Sequence, residues 1–416
     1  MTRFALPPAL ACLCIALFGC DPGTDADDGS SPTTNEPGTG TSGADDDGSS
    51  DDADPDPDDT AGDDMADDES GSTGGGPTGV WMEIAGPCGG SATNALWFDD
   101  ADVGFVGCGE NAAGEGLFTT IDAGATWEDN PQFNEVRVMD IRRGPDGVLR
   151  GAGIHQLDGY SVFDIDEDGA LTPEGLYEPG NNAFTTVNQA ENVATTEDGQ
   201  ILIDSLTGTS AAYQPAGGVF EEFASLGEAA IADPDNAPAF QVRRIVGFDN
   251  AFYAVGSLIN DPARVHLPSM MEGATYHFTT LQLQSDTRDG ELLDMHVWAG
   301  DKMIVAGHDQ SQRYPLIYVA AGDAYNADNW TQITLLDFGI EYEGGINDLH
   351  VVGDTVIAVG EKFPSSQGGF VLRSDDAGLT WEDISPEDVG VLSAVWQFDD
   401  GSMLVGGGGG EMWVMQ

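Results

Sequence analysis

Two stretches of the chain set carboxylates beside an aromatic platform: Thr120–Trp127 reads TIDAGATW and Ser374–Trp381 reads SDDAGLTW. Both fit Ser/Thr-x-Asp-x-Gly-x-Thr-Trp. In the second, Asp375 and Asp376 are adjacent, and paired carboxylates are the equipment of glycoside hydrolysis. A different chemistry is suggested by DIDEDGALTPE, Asp164–Glu174. Asp164, Asp166 and Asp168, followed by Gly169, match the opening of a calcium loop with hard oxygen ligands at alternate positions. Gly175 stands where an EF-hand has its bidentate glutamate, and the flanks GYSVF and ALTP read as strands. A calcium-binding hairpin is one expectation and a plain acidic turn the other. No cofactor is expected, with calcium at this hairpin as the one alternative.

Other catalytic equipment is missing from the sequence. The histidines, His155, His266, His277, His296, His308 and His350, show no metal-ligand spacing. No Gly-x-Ser-x-Gly elbow occurs, and the glycine run 406–410 lacks the Lys-Ser/Thr of a phosphate loop.

The elements that must position these residues repeat. Strands ending in small residues recur around Gly107, Gly151, Gly256, Gly307, Gly360 and Gly406. A degenerate copy, GQILIDSL with Asp204, fills the long gap after Gly151. Each unit of about 50 residues opens with a strand and a tight turn. The turns are Asp146-Gly147, Asp198-Gly199, Asp249-Asn250, Gly300-Asp301, Gly353-Asp354 and Asp400-Gly401. Such pairs supply the positive φ that hairpins need. Short β-branched and aromatic runs with no sustained 3.6 period predict an all-β, seven-bladed β-propeller with four-stranded blades. Tight packing where blades converge on the channel would favour the small residues. WMEI (Trp81–Ile84), WTQI (Trp330–Ile333) and WEDI (Trp381–Ile384) read as one outer strand. The last unit has room for three strands, so Trp81–Ile84 is expected to complete it and remove the open edge.

The paired motifs resemble the Asp-box (BNR repeat) of sialidase-like and sortilin-like propellers. The blade grammar LWFDDADVGFVGCG…GLFTTIDAGATWED and GGFVLRSDDAGLTWEDIS is similar to propellers of the photosystem II stability/assembly factor type. By that resemblance the motif is a hairpin turn between outer strands. Asp122 and Asp376 accept turn amides, Gly124 and Gly378 permit the left-handed bend, and Trp127 and Trp381 pack beneath. Thr120, Ser374, Thr126 and Thr380 complete the motif. The resemblance assigns these aspartates to structure, not catalysis. A sialidase would also need an arginine cluster near the domain start, yet the first arginine after residue 79 is Arg137. Arg142, Arg143, Arg243 and Arg244 are expected at a channel mouth or as solvated strand ends. His296, His308 and His350 are expected as packing or channel residues.

Charge and address complete the reading. The chain carries 73 acidic and 13 basic residues, a formal charge of -60. Such a field repels nucleic acid and anionic lipid. Residues 1–20 read as a lipoprotein-type export signal ending in Leu17-Phe18-Gly19-Cys20, with Cys20 the expected lipidation site. Residues 21–79 are acidic, rich in Gly, Ser, Thr and Pro, and contain no basic residue. They cannot bury enough apolar surface to offset ordering entropy and are expected to form a disordered tether. Residues 80–416 form the folded domain. Cys88 and Cys108 are expected as a disulfide in an oxidising compartment, or else as two unpaired small residues. The expected protein is exported, bound to the cell envelope only through its lipid, monomeric and non-enzymatic. It would bind a protein or polysaccharide partner. The alternative is an exported glycan-acting enzyme.

Overall fold

Strand runs of about six residues, separated by residues that accept positive φ, pair with their sequence neighbours as hairpins. Gly147, Gly199, Asp249, Gly353 and Gly401 all take positive φ at the expected turns. The computed structural model describes residues 79–110, 113–134, 136–155, 161–165, 171–172, 190–205, 211–214, 221–223, 227–228, 242–256, 263–272, 275–283, 290–309 and 314–416. The signal segment, Cys20 and the tether fall outside the described residues. No helix among the described residues is long and apolar enough to cross a membrane.

The hairpins assemble into a β-propeller. Six sheets are four-stranded antiparallel blades, and the expectation of seven such blades is overturned by the remaining sheet, which has five strands. In that sheet Gly227–Glu228 pairs in parallel with the outer strand Thr275–Gln282. Its neighbour, Arg264–Glu272, shifts register between Pro268 and Met270. Proline cannot donate to a ladder, so the outer hairpin is irregular there. The short parallel strand covers an edge that would otherwise be open.

The inner strands adjoin one another in a closed ring around the channel: Thr93–Phe98, Val136–Arg143, Ala190–Thr195, Arg244–Phe248, Gly290–Ala299, Gly344–Val352 and Leu392–Gln397. Apolar clusters fill the spaces between sheets. Phe105, Leu117 and Phe133 of one blade pack with Ile141, Leu149 and Phe163 of the next. Ile304, Ile317 and Val319 pack with Leu349, Phe370 and Leu372 in the same way.

The repeated glycines have more than one origin: Gly107 and Gly406 face side chains of the neighbouring blade, with a Cβ 2.6 Å from Val138 and 2.7 Å from Thr93, whereas Gly307 and Gly360 face carbonyls of their own sheet. They belong to the second strand of each sheet, not to the strand lining the channel. Inner strands slip register by one residue at Asn94, Met139, Glu191, Leu293, Asn347 and Ser393. Each β-bulge pushes a carbonyl toward the paired strand. A Cβ on Gly307 would lie 1.9 Å from the Glu291 carbonyl oxygen, and one on Gly360 1.9 Å from that of Gly345. At Gly407 the distance to the Val391 oxygen is 1.8 Å. Only glycine leaves room for the bulge.

Closure uses the N-terminal strand. Trp81–Ala85 pairs with Glu411–Met415, from Trp81 opposite Met415 to Ala85 opposite Glu411. The Trp81 indole N–H donates to the Ile384 carbonyl of the preceding sheet. Cys88, in the connection that leaves this strand, is bonded to Cys108 on the second strand of the first blade, with Cα atoms 5.3 Å apart. The bridge ties the closing strand to the blade it must adjoin. Serine at both positions should cost about 3 kcal/mol of unfolding free energy, the scale for a cross-linked loop of this length. Urea denaturation checks this, and reductant should shift the parent chain equally.

Candidate functional site

The residue that follows each bulge faces the neighbouring blade, and at several positions it is polar. Asp140 Oδ2 accepts from the Val193 N–H at 3.2 Å, Asp294 Oδ2 from Leu349 N–H at 2.7 Å and Asp348 Oδ2 from Val395 N–H at 2.9 Å. In each pair the donor lies on the next inner strand around the ring. Bulge residues add a second stitch: Asn94 Nδ2 donates to the Val138 carbonyl and Asn347 Nδ2 to that of Leu392. Ser393 Oγ donates to the Thr93 carbonyl and so crosses the closure.

The same aspartates meet a single guanidinium. Arg244 donates from Nε to Asp294 Oδ1 at 2.7 Å, from Nη1 to Asp140 Oδ1 at 3.2 Å and from Nη2 to Asp348 Oδ1 at 3.2 Å. Nη1 also reaches Asn192 Oδ1 at 3.1 Å. The Arg244 side chain is 13% exposed and that of Asp294 1%, so these charges are largely removed from water and must be paired. Arg142 Nε adds a contact to Asp140 Oδ1 at 3.1 Å. Burial opposes charge on Asp294, but Arg244 and Arg142 overcome it and hold its carboxyl below the usual range. For Asp348 burial and the neighbouring Asp294 charge prevail, and its carboxyl is pushed well up.

Two residues beyond the post-bulge position on their strands stand Arg142, His296, His350, Trp97 and Trp396. Burial lowers the His296 pKa to about 4 and the His350 pKa to about 3, with Arg142 adding to both effects. Both rings are therefore neutral near pH 7. His350 Nδ1 accepts the Gln397 N–H at 3.2 Å, which leaves the proton on Nε2. Its ring lies 4.3 Å from that of Trp396, and Trp396 packs edge-on against Trp97 at 4.9 Å.

Chemically this cluster is a compensated ion network. Asp294 and Asp348 have proton affinities pushed in opposite directions, the pattern of an acid and base pair. Their oxygens, however, are taken up by Arg244 and by the backbone of the next blade. The adjoining cavity is about 20 Å³, room for one water and not for a sugar ring.

The sequence-predicted residues lie elsewhere. Asp122 sits in an outer hairpin turn, where it accepts the Thr126 hydroxyl at 2.6 Å, the Thr126 N–H at 2.8 Å and the Thr120 hydroxyl at 2.9 Å. These bonds, Thr126 first, hold its carboxyl below the usual range. Asp376 repeats the arrangement: it accepts the Thr380 hydroxyl and N–H at 2.8 Å each, and the Ser374 hydroxyl at 2.8 Å. Burial opposes its charge, and the Thr380 and Ser374 bonds still hold its carboxyl low. Gly124 and Gly378 take positive φ, each after an alanine that does the same. Trp381 is buried and its indole N–H donates to the Gly378 carbonyl at 2.8 Å, while Trp127 is half-buried against Phe98. Asp375 pairs with Arg373 and takes no part in a carboxylate pair with Asp376. Asp376→Ala should cost about 1–2 kcal/mol, the range for charge-assisted hydrogen bonds to a partly buried turn. Thermal melting measures the loss, and any ligand affinity should be retained.

Asp164 lies on the strand Ser161–Ile165, 3.3 Å from Arg150 Nε. Asp166 and Asp168 fall outside the described residues. Among the described residues no group of three His, Cys, Asp or Glu is arranged to hold a metal ion. Arg243 and Arg244 are not solvated strand ends: Arg243 pairs with Glu291, which also lies 3.7 Å from His308. The signal for the channel cluster is an aspartate inside an inner strand, 11–13 residues before a repeat glycine: Asp140 before Gly151, Asp294 before Gly307 and Asp348 before Gly360.

No family model matches the chain, and no curated protein matches it. Solved structures do. A structure of YCF48 bound to D1 peptide is 15% identical, with a TM-score of 0.52, covering 80% of this chain and 94% of that one. YCF48 from Cyanidioschyzon merolae gives 15% identity and 0.52, covering 81% and 98%. A catalytically inactive virginiamycin B lyase from Staphylococcus aureus, with quinupristin, gives 10% identity and 0.54, covering 81% and 99%. These likenesses show the propeller fold alone, and the matched structures include both a peptide-bound protein and a lyase.

Proposed function

We propose that the chain is an exported, non-enzymatic propeller that binds a protein or glycan partner at the cell envelope. Lipid on Cys20 would tether it, and the acidic segment 21–79 would hold the propeller away from the membrane. The observation that carries the reading is the saturation of Asp140, Asp294 and Asp348 by Arg244 and by the next blade's N–H groups. Carboxylates committed in this way hold blades together and are not free to move protons on a substrate. Recognition then falls to the surfaces where blades differ, as propellers commonly use them. The peptide-bound YCF48 structure supports a protein partner.

Calcium at Asp164, Asp166 and Asp168 is a separate proposal, and it would have to draw Asp164 away from Arg150. Titration calorimetry with Asp166→Ala as control tests it: no heat from the parent chain removes the ion.

The binding reading is tested by presenting the full chain with a panel of polysaccharides and sialosides. The expected result is no turnover. Turnover abolished by Asp348→Asn with an unchanged melting temperature would overturn the reading in favour of a glycan-acting enzyme. Fatty-acid labelling that persists in Cys20→Ser would remove Cys20 as the site of the anchor.

A further inference from the structure

Three successive inner strands, Val136–Arg143, Ala190–Thr195 and Arg244–Phe248, lie side by side and enclose a cavity of about 140 Å³. Val193, Ala194, Ile245 and Val246 give it apolar walls. A cavity of roughly 150 Å³ lined by apolar side chains holds a benzene ring. The charged groups at its edge are Arg142, Arg143 and Arg150, and among the described residues no acidic one lines it. The chain has 73 acidic and 13 basic residues, so three guanidiniums and no carboxylate reverse the prevailing sign of charge at this one place.

Two of these arginines are committed within the fold. Arg143 donates to Asp99 and to the Gly147 carbonyl. Arg150 donates to both Asp146 oxygens, at 2.7 and 3.0 Å, and to Thr195 Oγ1 at 3.3 Å, and its Nε lies 3.3 Å from Asp164. Arg142 is different. Its Nε meets Asp140 at 3.1 Å, while Nη1 and Nη2 have no partner among the described residues. The neighbouring His296 and His350 are neutral and supply no counter-charge. The Arg142 side chain is 40% exposed, so its terminal nitrogens are open to a solute. A guanidinium fixed at Nε presents Nη1 and Nη2 as a planar fork, which matches the two oxygens of a carboxylate.

We infer that this cavity takes a small carboxylate carried on a single aromatic or alicyclic ring. The carboxylate meets the Arg142 fork, and the ring fills the space between Val193, Ala194, Ile245 and Val246. The net charge of the chain opposes any anion, but at about 0.15 M salt charges more than about 8 Å away are largely screened. The arginines at the edge of the cavity then decide the sign at short range. This ligand is a small molecule, independent of the protein or glycan partner.

Ligand-observed NMR titration of the full chain with three probes, at about 0.15 M salt, separates the ring from the charge. Benzoate has both, benzyl alcohol keeps the ring without the charge, and acetate keeps the charge without the ring. Benzoate should bind at least about tenfold more tightly than either. Arg142→Gln should lower benzoate affinity about tenfold and leave benzyl alcohol unchanged. Val246→Phe, which fills the cavity from a half-buried wall, should lower benzoate affinity to a similar extent and leave acetate unchanged. Melting temperatures identify which variants keep the parent fold. No benzoate binding at about 10 mM, equal affinity for the three probes, or unchanged benzoate affinity in either folded variant would overturn the site. Each of these outcomes leaves the partner-binding reading as it was, because that concerns a macromolecule and falls only to turnover of a substrate.

Discussion

Arg244→Met should lower the unfolding free energy by about 3–5 kcal/mol near pH 7, the cost of stripping a buried ion cluster of its central partner. The substitution keeps much of the side chain's length and removes only what the three aspartates require. Asp140, Asp294 and Asp348 would then face one another across the channel with Arg142 as the remaining nearby cation. Each would still be bound to the next blade's backbone, so none could turn away to water without breaking a stitch between blades.

The pH dependence gives the prediction its sign. In the parent chain the folded Asp294 carboxyl titrates below its unfolded value. Its contribution is therefore present above the unfolded value, near 4, and is lost as pH falls through the lower folded value. Without Arg244, burial dominates and the folded value rises above the unfolded one. The charged form is then penalised at neutral pH, and protonation relieves the penalty in acid. Asp348 is raised already, so its contribution is present below its unfolded value and fades as pH rises through its folded value. The deficit of Arg244→Met should accordingly be greatest at pH 7–8 and shrink toward pH 5 and below. Urea midpoints across that range measure it. Adding Asp294→Asn and Asp348→Asn should recover much of the loss, because asparagine keeps an oxygen for Leu349 and Val395 without the charge. A deficit that does not change with pH would assign Arg244 a packing role instead.

The legibility of this molecule follows how local each constraint is. Hairpin turns are readable because positive φ selects Gly or Asp at the turn itself, as Gly147, Asp249 and Gly401 show. The closing strand is readable because Trp81–Ile84 repeats the outer-strand pattern of Trp330–Ile333 and Trp381–Ile384. The number of four-stranded blades is not: Gly227–Glu228 has no strand character of its own and is held by a neighbour's open edge. The channel cluster was hidden for a related reason. Asp140 and Asp348 each lie 104 residues from Arg244, and only ring closure brings them together. A charged residue in an apolar strand announces that it needs a partner, but not which one. The turn aspartates show the reverse, since every partner of Asp376 lies within four residues and the motif carries its own explanation.

Gly360→Ala should be about as damaging as loss of the channel arginine, at roughly 3 kcal/mol or more, through a different cause. The new methyl group would stand 1.9 Å from the Gly345 carbonyl oxygen and 2.7 Å from the Phe370 ring. The ring could turn aside. The carbonyl belongs to the bulge at Ile346–Asp348, whose Asn347 and Asp348 side chains hold the next blade at Leu392 and Val395. Moving that carbonyl by more than an ångström flattens the bulge, and a flattened bulge returns Asp348 to the ordinary register of the strand. The damage should therefore pass from one glycine to the channel. Gly360→Ala should lose the pH-dependent part of stability along with the packing. Gly353→Ala serves as a control, because a Cβ there meets nothing within 4 Å and only its φ of +63° is strained. It should cost about 1–2 kcal/mol and leave the pH profile parallel to that of the parent chain. If the two alanine variants lose the same amount with parallel profiles, the glycines are serving turn and strand geometry alone. If only Gly360→Ala changes the slope between pH 5 and 8, Gly360 is what lets its blade deliver Asp348 to the ring.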